Sequence, residues 1–259
     1  MIETTQRCEG RVLHILLNQP KGNILDRKMI ASISSALDTQ VCAETCLIVF
    51  AGAGKHFCFG ASVQEHRADE AKDMLREFHD LFRQLAAVAV PTCAVVRGQC
   101  LGGGLELASW CSWIVATPDA RLGQPEIQLA VFPPMASLLL PWRVGGATAL
   151  ELCISGRSLG AQDALKAGLI NAITDDPEAW WTTLVEERLG RTSAASLRVA
   201  ERAVRRSLTR LLDEALPELE SLYLEELMAI PDASEGIDAF LERRAPIFNH
   251  TPAARFPGS

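Results

Sequence analysis

Cys93-Ala-Val-Val-Arg97-Gly98-Gln-Cys-Leu-Gly102-Gly103-Gly104-Leu-Glu106-Leu-Ala108 decides the fold class. The β-branched run at its start reads as a strand, and the glycines interrupt it before an apolar stretch that reads as a helix. Three consecutive glycines let the backbone approach a ligand closely, and the N–H groups of the first helical turn have no intrahelical acceptor, so they point at whatever sits there. Glu106 has two readings at this stage. It is either an acid favoured near a helix N-terminus, worth about 0.3–1 kcal/mol, or a group that does chemistry.

Twenty residues on, Gly123-Gln-Pro125-Glu126-Ile127 sets a second carboxylate in a turn among Leu122, Ile127, Leu129 and Val131. An acid among apolar neighbours is costly unless it is paired or used. If Glu106 and Glu126 share one site in unlike environments, one can act as base while the other, protonated, acts as acid. The bland alternative for Glu126 is a buried ion pair.

Outward from this centre, Val12–Leu17, Cys46–Ala51 and Trp113–Ala116 read as further strands, alternating with helical patterns. Asp26 is placed to cap a helix over Arg27–Leu37. The clearest helix spans Asp69–Leu85, with Met74, Phe78, Leu81 and Leu85 on one stripe and Leu75 and Phe82 beside it, the pattern of an ordinary core-facing helix. Strand signals stop near residue 176. Helices are expected over 178–189, 193–211, 213–229 and 232–245, broken at Gly190, Pro217 and Pro231, with Pro252–Ser259 as a frayed end. The fold class is therefore α/β with a C-terminal helical appendage, divided as a core over 1–190 and a helical region over 191–259.

The chain has 259 residues, 48% apolar and 22% charged, with a net charge of −7. This composition excludes a disordered or collagen-like chain and opposes a nucleic-acid partner or an anionic membrane surface. Eight cysteines without a Cys-x-x-Cys pair, several inside apolar runs, suit free thiols in a reducing cytoplasm, and no zinc site is expected. The N-terminus lacks a secretory pattern, and no apolar run is long enough to span a bilayer. Gly52-Ala-Gly54 fails as a dinucleotide fingerprint because Phe57 stands where the third glycine is needed. Gly156-Arg-Ser158-Leu-Gly160, with Asp238 and His250 downstream, imitates a serine-hydrolase elbow. A helix over Ala147–Ser155 leads into it where a strand is required, so it reads as a link between helices.

Phe57-Cys-Phe-Gly60-Ala61, Gly98 to Ala108, Leu122-Gly-Gln-Pro-Glu126-Ile127, Ser158 to Ile170 and Glu235 to Phe248, in this order and spacing, resemble the crotonase (enoyl-CoA hydratase/isomerase) family over nearly the whole chain. The resemblance implies a spiral core of ββα units, acyl-CoA substrates with coenzyme A as part of the substrate and no separate cofactor, and C-terminal helices that join subunits into a homotrimer or dimer of trimers. Residue by residue, it places Ala61 and Gly103 at the two backbone donors of an oxyanion hole, and Glu106 and Glu126 at the acid/base pair of hydratases. Lys55, Phe59, Gly60, Gln64, Gly102, Phe132, Pro134, Arg243 and Arg244 are candidates for contacting substrate or CoA.

Two departures stand out. Ala61-Ser62-Val63-Gln64 replaces the usual Ala-Asp-Ile-Lys, and Ala130-Val-Phe132-Pro133-Pro134-Met-Ala-Ser137 replaces the glycine-rich loop common after the second acid. These changes are similar to the branch of the family that hydrates cyclic dienoyl thioesters, so water addition to such a thioester is the expected reaction. The rivals are linear enoyl hydration, double-bond isomerisation, ring-opening hydrolysis, and a non-catalytic RNA-binding or scaffold role. Net acidity opposes the last of these.

Overall fold

The computed structural model describes residues 1–251. The expected frayed end at 252–259 lies outside the described residues. Strands β1 (Ile2–Arg7), β2 (Val12–Leu17), β3 (Leu47–Gly52), β4 (Thr92–Val96), β6 (Trp113–Ala116) and β9 (Ala172–Ile173) form a sheet in the order β1-β2-β3-β4-β6-β9. Only the β1–β2 pair is antiparallel; from β2 onward the neighbours run parallel. Strands β3 and β4 are buried along their full length, so their sequences are continuous apolar runs without alternation. A second sheet, of three-residue strands, pairs β5 (Gln99–Leu101) with β7 (Arg121–Gly123) and β7 with β8 (Ser158–Gly160).

The chain passes from the large sheet to the small one and then into a helix, repeatedly. Strands β4 and β5 feed α3 (Gly103–Trp110), and β6 and β7 feed the Glu126–Leu129 3₁₀ turn and α4 (Pro134–Ser155). This is the ββα spiral that the resemblance implies. Helix α1 (Arg27–Gln40) is capped as its sequence demands, Asp26 accepting from the Met29 N–H at 2.8 Å. Helix α2 (Ala71–Val88) carries the apolar stripe read from the sequence. Helix α5 (Ala161–Lys166) follows β8, and α6 (Pro177–Glu187) and α7 (Ala194–Glu214) follow β9.

Several expectations change. Strand β1 escapes a pattern reading because it is a largely exposed edge strand of polar residues. The proposed link at 156–160 contains β8, which pairs antiparallel with β7. The helix expected over Ala147–Ser155 is the second half of α4, whose start is obscured by interior Pro141 and a non-helical Gly145. The helix expected over 213–229 is two pieces, α8 (Leu216–Ser221) and a π-helical turn over Leu222–Leu227, before α9 (Pro231–Glu242). The C-terminal helices also share the main core. Leu208, Leu212 and Leu216 pack in the same cluster as Leu139, Leu140 and Phe82. Among the described residues, no helix is long and apolar enough to cross a membrane.

Candidate active site

Local backbone geometry brings the glycine turn against the second acid. Gly102 precedes α3 with φ +51°, and a Cβ built there would lie 2.6 Å from Glu126 Oε1, so any side chain would be both strained and in collision with the carboxyl. Gly60 has φ +111°, and a Cβ on it would approach the Leu101 carbonyl at 3.1 Å and the Gly103 nitrogen at 3.4 Å. These two positions hold the segments around residues 60 and 102 backbone to backbone. A Cβ on Gly103 would sit 3.0 Å from the Ala61 nitrogen. Gly103 is the first residue of α3, and neither its N–H nor that of Ala61 has an acceptor among the described residues. Both residues border the same cavity.

Glu106, on the first turns of α3, is 4% exposed. Its Oε1 accepts the Ala136 N–H at 2.7 Å, a donor in the first turn of α4, and the Met135 N–H also favours its charge. Burial outweighs both bonds and pushes its carboxyl up to about 7. Glu126 opens the 3₁₀ turn and faces the cavity. Burial, with the charge of Glu106 adding to it, raises its carboxyl well above the ordinary range. Its partner is an amide and not a cation: Gln124, fully buried, sets its side-chain amide 3.0 and 3.1 Å from the two Glu126 oxygens, and the NH₂ group is the end that can donate. The buried ion pair is thus not how Glu126 is accommodated. The turn that carries it is braced by α9, because a Cβ on Gly236 would run into the Leu129 carbonyl.

Phe59, Gly60, Ala61, Gly102, Gly103, Glu106, Glu126, Phe132 and Pro134 all line one cavity of about 80 Å³. Lys55 and Gln64 are exposed and do not line it. Arg244 is held by its neighbours, with Nη2 2.8 Å from Glu235 Oε2 and Nε 2.6 Å from Glu242 Oε2. Arg243 is exposed in a left-handed conformation at the end of α9, and Arg67 pairs with Asp238 at 3.0 Å. Ser158 stands in β8 after a helix, so no nucleophile elbow forms there.

The cavity has walls that the sequence did not assign to a site. Met74, Leu75, Phe78 and His79 of α2, His66 before it, and Tyr223 of the π-helical turn are among the remaining lining residues. The α2 stripe looked like plain core because a helix face that borders a cavity has the same spacing as one that borders a sheet. Tyr223 is the chain's single tyrosine, which was the available signal.

The family model described as enoyl-CoA hydratase/isomerase matches residues 7–251. Cyclohexa-1,5-dienecarbonyl-CoA hydratase of Thauera aromatica is 46% identical over 238 residues, covering 92% of each chain. A protein described as a probable enoyl-CoA hydratase, from Mycobacterium leprae (strain TN), is 36% identical, covering 93% of this chain and 95% of its own. Among solved structures, an enoyl-CoA hydratase from Mycobacterium avium superposes with a TM-score of 0.84 at 26% identity, covering 95% of this chain and 97% of that one.

Proposed function

The chain belongs to the enoyl-CoA hydratase/isomerase family, and from that premise we propose that it is a hydro-lyase converting cyclohexa-1,5-diene-1-carbonyl-CoA to 6-hydroxycyclohex-1-ene-1-carbonyl-CoA, a step suited to anaerobic aromatic degradation. Hydration is carried by one observation: a buried Glu106 carboxyl and a half-buried Glu126 carboxyl, in unlike surroundings, line a single cavity beside two free N–H donors. The choice of a ring rests on the 46% identical relative.

In this reading the Ala61 and Gly103 N–H groups receive the thioester oxygen and stabilise the negative charge that grows on it. The α4 donors favour the charged form of Glu106, and burial beside that charge keeps the proton on Glu126. Glu106 takes a proton from water, the hydroxyl bonds to the β-carbon, and the displaced π electrons move onto the thioester oxygen. In a linear enoyl thioester Glu126 then protonates the α-carbon. In the cyclic diene the enolate extends through the second double bond, so the proton lands at its far end, across the ring, and the remaining double bond shifts back into conjugation. The proton on Glu106 returns to Glu126 to close the cycle. Coenzyme A belongs to the substrate, and the reading needs no other cofactor.

The same reading includes a homotrimer or dimer of trimers in the cytoplasm. Exposed apolar side chains, among them Val204, Ile154 and Leu150, offer surface for subunit contact, and eight free cysteines suit a reducing compartment. The test is incubation of the purified protein with the cyclic dienoyl-CoA and, separately, crotonyl-CoA, followed by product mass. A gain of one water on the ring substrate, faster than on crotonyl-CoA, is expected. Faster hydration of crotonyl-CoA would assign a linear substrate, and release of a free acid without hydration would assign hydrolysis.

A further inference from the structure

Two buried polar atoms, on side chains that line the cavity, are left over by this chemistry. His79 is 1% exposed; its Nδ1 lies 2.6 Å from Glu220 Oε1 and donates to that carboxylate, while its Nε2 has no partner among the described residues. Tyr223 is also 1% exposed, and its hydroxyl has no partner among the described residues. Both side chains line the cavity that holds Glu106 and Glu126. Burying two polar atoms without protein partners costs stability, so a wall serving only a hydrocarbon chain would be better built from apolar residues.

Each group is fixed in place. Glu220, on α8, orients the His79 ring from behind. Tyr223 stands edge-on to Phe132, ring centroids 5.4 Å apart, and its carbonyl accepts the Met228 N–H at 3.0 Å in the π-helical turn, a local irregularity that often marks functional positions. The rest of the nearby lining, Met74, Leu75 and Phe78, is apolar.

We propose that His79 Nε2 and Tyr223 Oη form a hydroxyl-binding subsite within the acyl cavity. A hydroxyl is the group that fits, because it donates and accepts at once. It can donate to a neutral imidazole or accept from a charged one, and it can pair with the tyrosine hydroxyl in either sense. A carboxylate is disfavoured beside two glutamates. The hydroxyl has two possible sources, the one that hydration installs or one already carried elsewhere on the ring. A site that hydrogen-bonds a substrate hydroxyl discriminates strongly against analogues lacking it, so these residues set specificity.

The inference rests on the acyl-thioester reading and is tested by binding alone. Affinities would be measured by calorimetry for cyclohex-1-ene-1-carbonyl-CoA, its 6-hydroxy derivative and its 4-hydroxy derivative, on the wild type, Tyr223→Phe and His79→Gln. At least one hydroxylated ligand should bind the wild type about tenfold or more tightly than the unsubstituted ring, and that advantage should collapse in both variants while the unsubstituted ring binds as before. Preference for the 6-hydroxy compound identifies the installed hydroxyl, and preference for the 4-hydroxy compound identifies a pre-existing one. Equal wild-type affinities for all three, or an advantage that survives in Tyr223→Phe, would overturn the subsite and leave the acyl-CoA reading standing. Failure of all three to bind would overturn both.

Discussion

Replacing Glu106 by Gln should make the protein more stable at neutral pH and far less active. An exposed glutamate in the unfolded chain loses its proton near 4.5, whereas Glu106 in the folded chain keeps it up to about 7. A carboxyl whose folded pKa is raised supports folding fully below the unfolded value and loses that support as pH climbs through the folded one. Between 4.5 and about 7 the wild type should therefore surrender stability from this residue. The difference of roughly 2.5 pH units, at about 1.4 kcal/mol per unit, amounts to about 3 kcal/mol. Glutamine does not titrate, and its oxygen can still accept the Ala136 N–H. Urea midpoints of both proteins, measured from pH 4.5 to 8, should coincide at the acid end and diverge upward in favour of the variant. Turnover measured in parallel should fall by about 10²–10⁴. Parallel stability curves across this range would refute the claim that burial raises the Glu106 carboxyl.

Glu126→Gln should keep the fold while losing turnover on the same scale of about 10²–10⁴, and near wild-type turnover would exclude it from proton transfer. The double Glu106→Gln/Glu126→Gln variant should lose less than the product of the single losses, since both groups act on one water. Gly102→Ala should displace the Glu126 carboxyl and strain the turn, costing about 1–3 kcal/mol of stability with a large fall in kcat, and a crystal structure showing Glu126 unmoved would contradict this. Truncation before Pro231 should destroy activity and weaken assembly, as read by turnover and light scattering. It removes Ala233 and Ile237 from the cluster with Met74, Leu75 and Tyr223, and also the brace on the Glu126 turn.

The legible parts of the fold were those whose local chemistry and burial agree. Strands β3 and β4 are buried on both faces, so an unbroken apolar run was enough to find them, and Asp26 announced α1 through a bond it actually makes. Strands β5, β7 and β8 were not legible, because three residues are too few to display a period and their pairing depends on the larger sheet to bring them together. The two glutamates could be singled out because a carboxylate beside glycines or among apolar residues is anomalous in sequence. His79 could not, since one polar residue on a helix stripe has no anomaly until the space beyond the stripe is known. On the tail, Ile237 is covered within the chain, while Phe240 and Ile247 remain 55% and 81% exposed.

The link between His79 and Glu220 spans 141 residues of sequence, and Tyr223 likewise lies far along the chain from the glycine turn. A chain emerging from the ribosome thus carries both glutamates, the Ala61 and Gly103 N–H groups and most of its core long before the cavity has a far wall. Contacts of such separation form late because a long loop must close first. Ligand-competent protein should therefore accumulate only after α8 and α9 dock. An acyl thioester added during refolding should bind in the last kinetic phase and hasten none that precedes it.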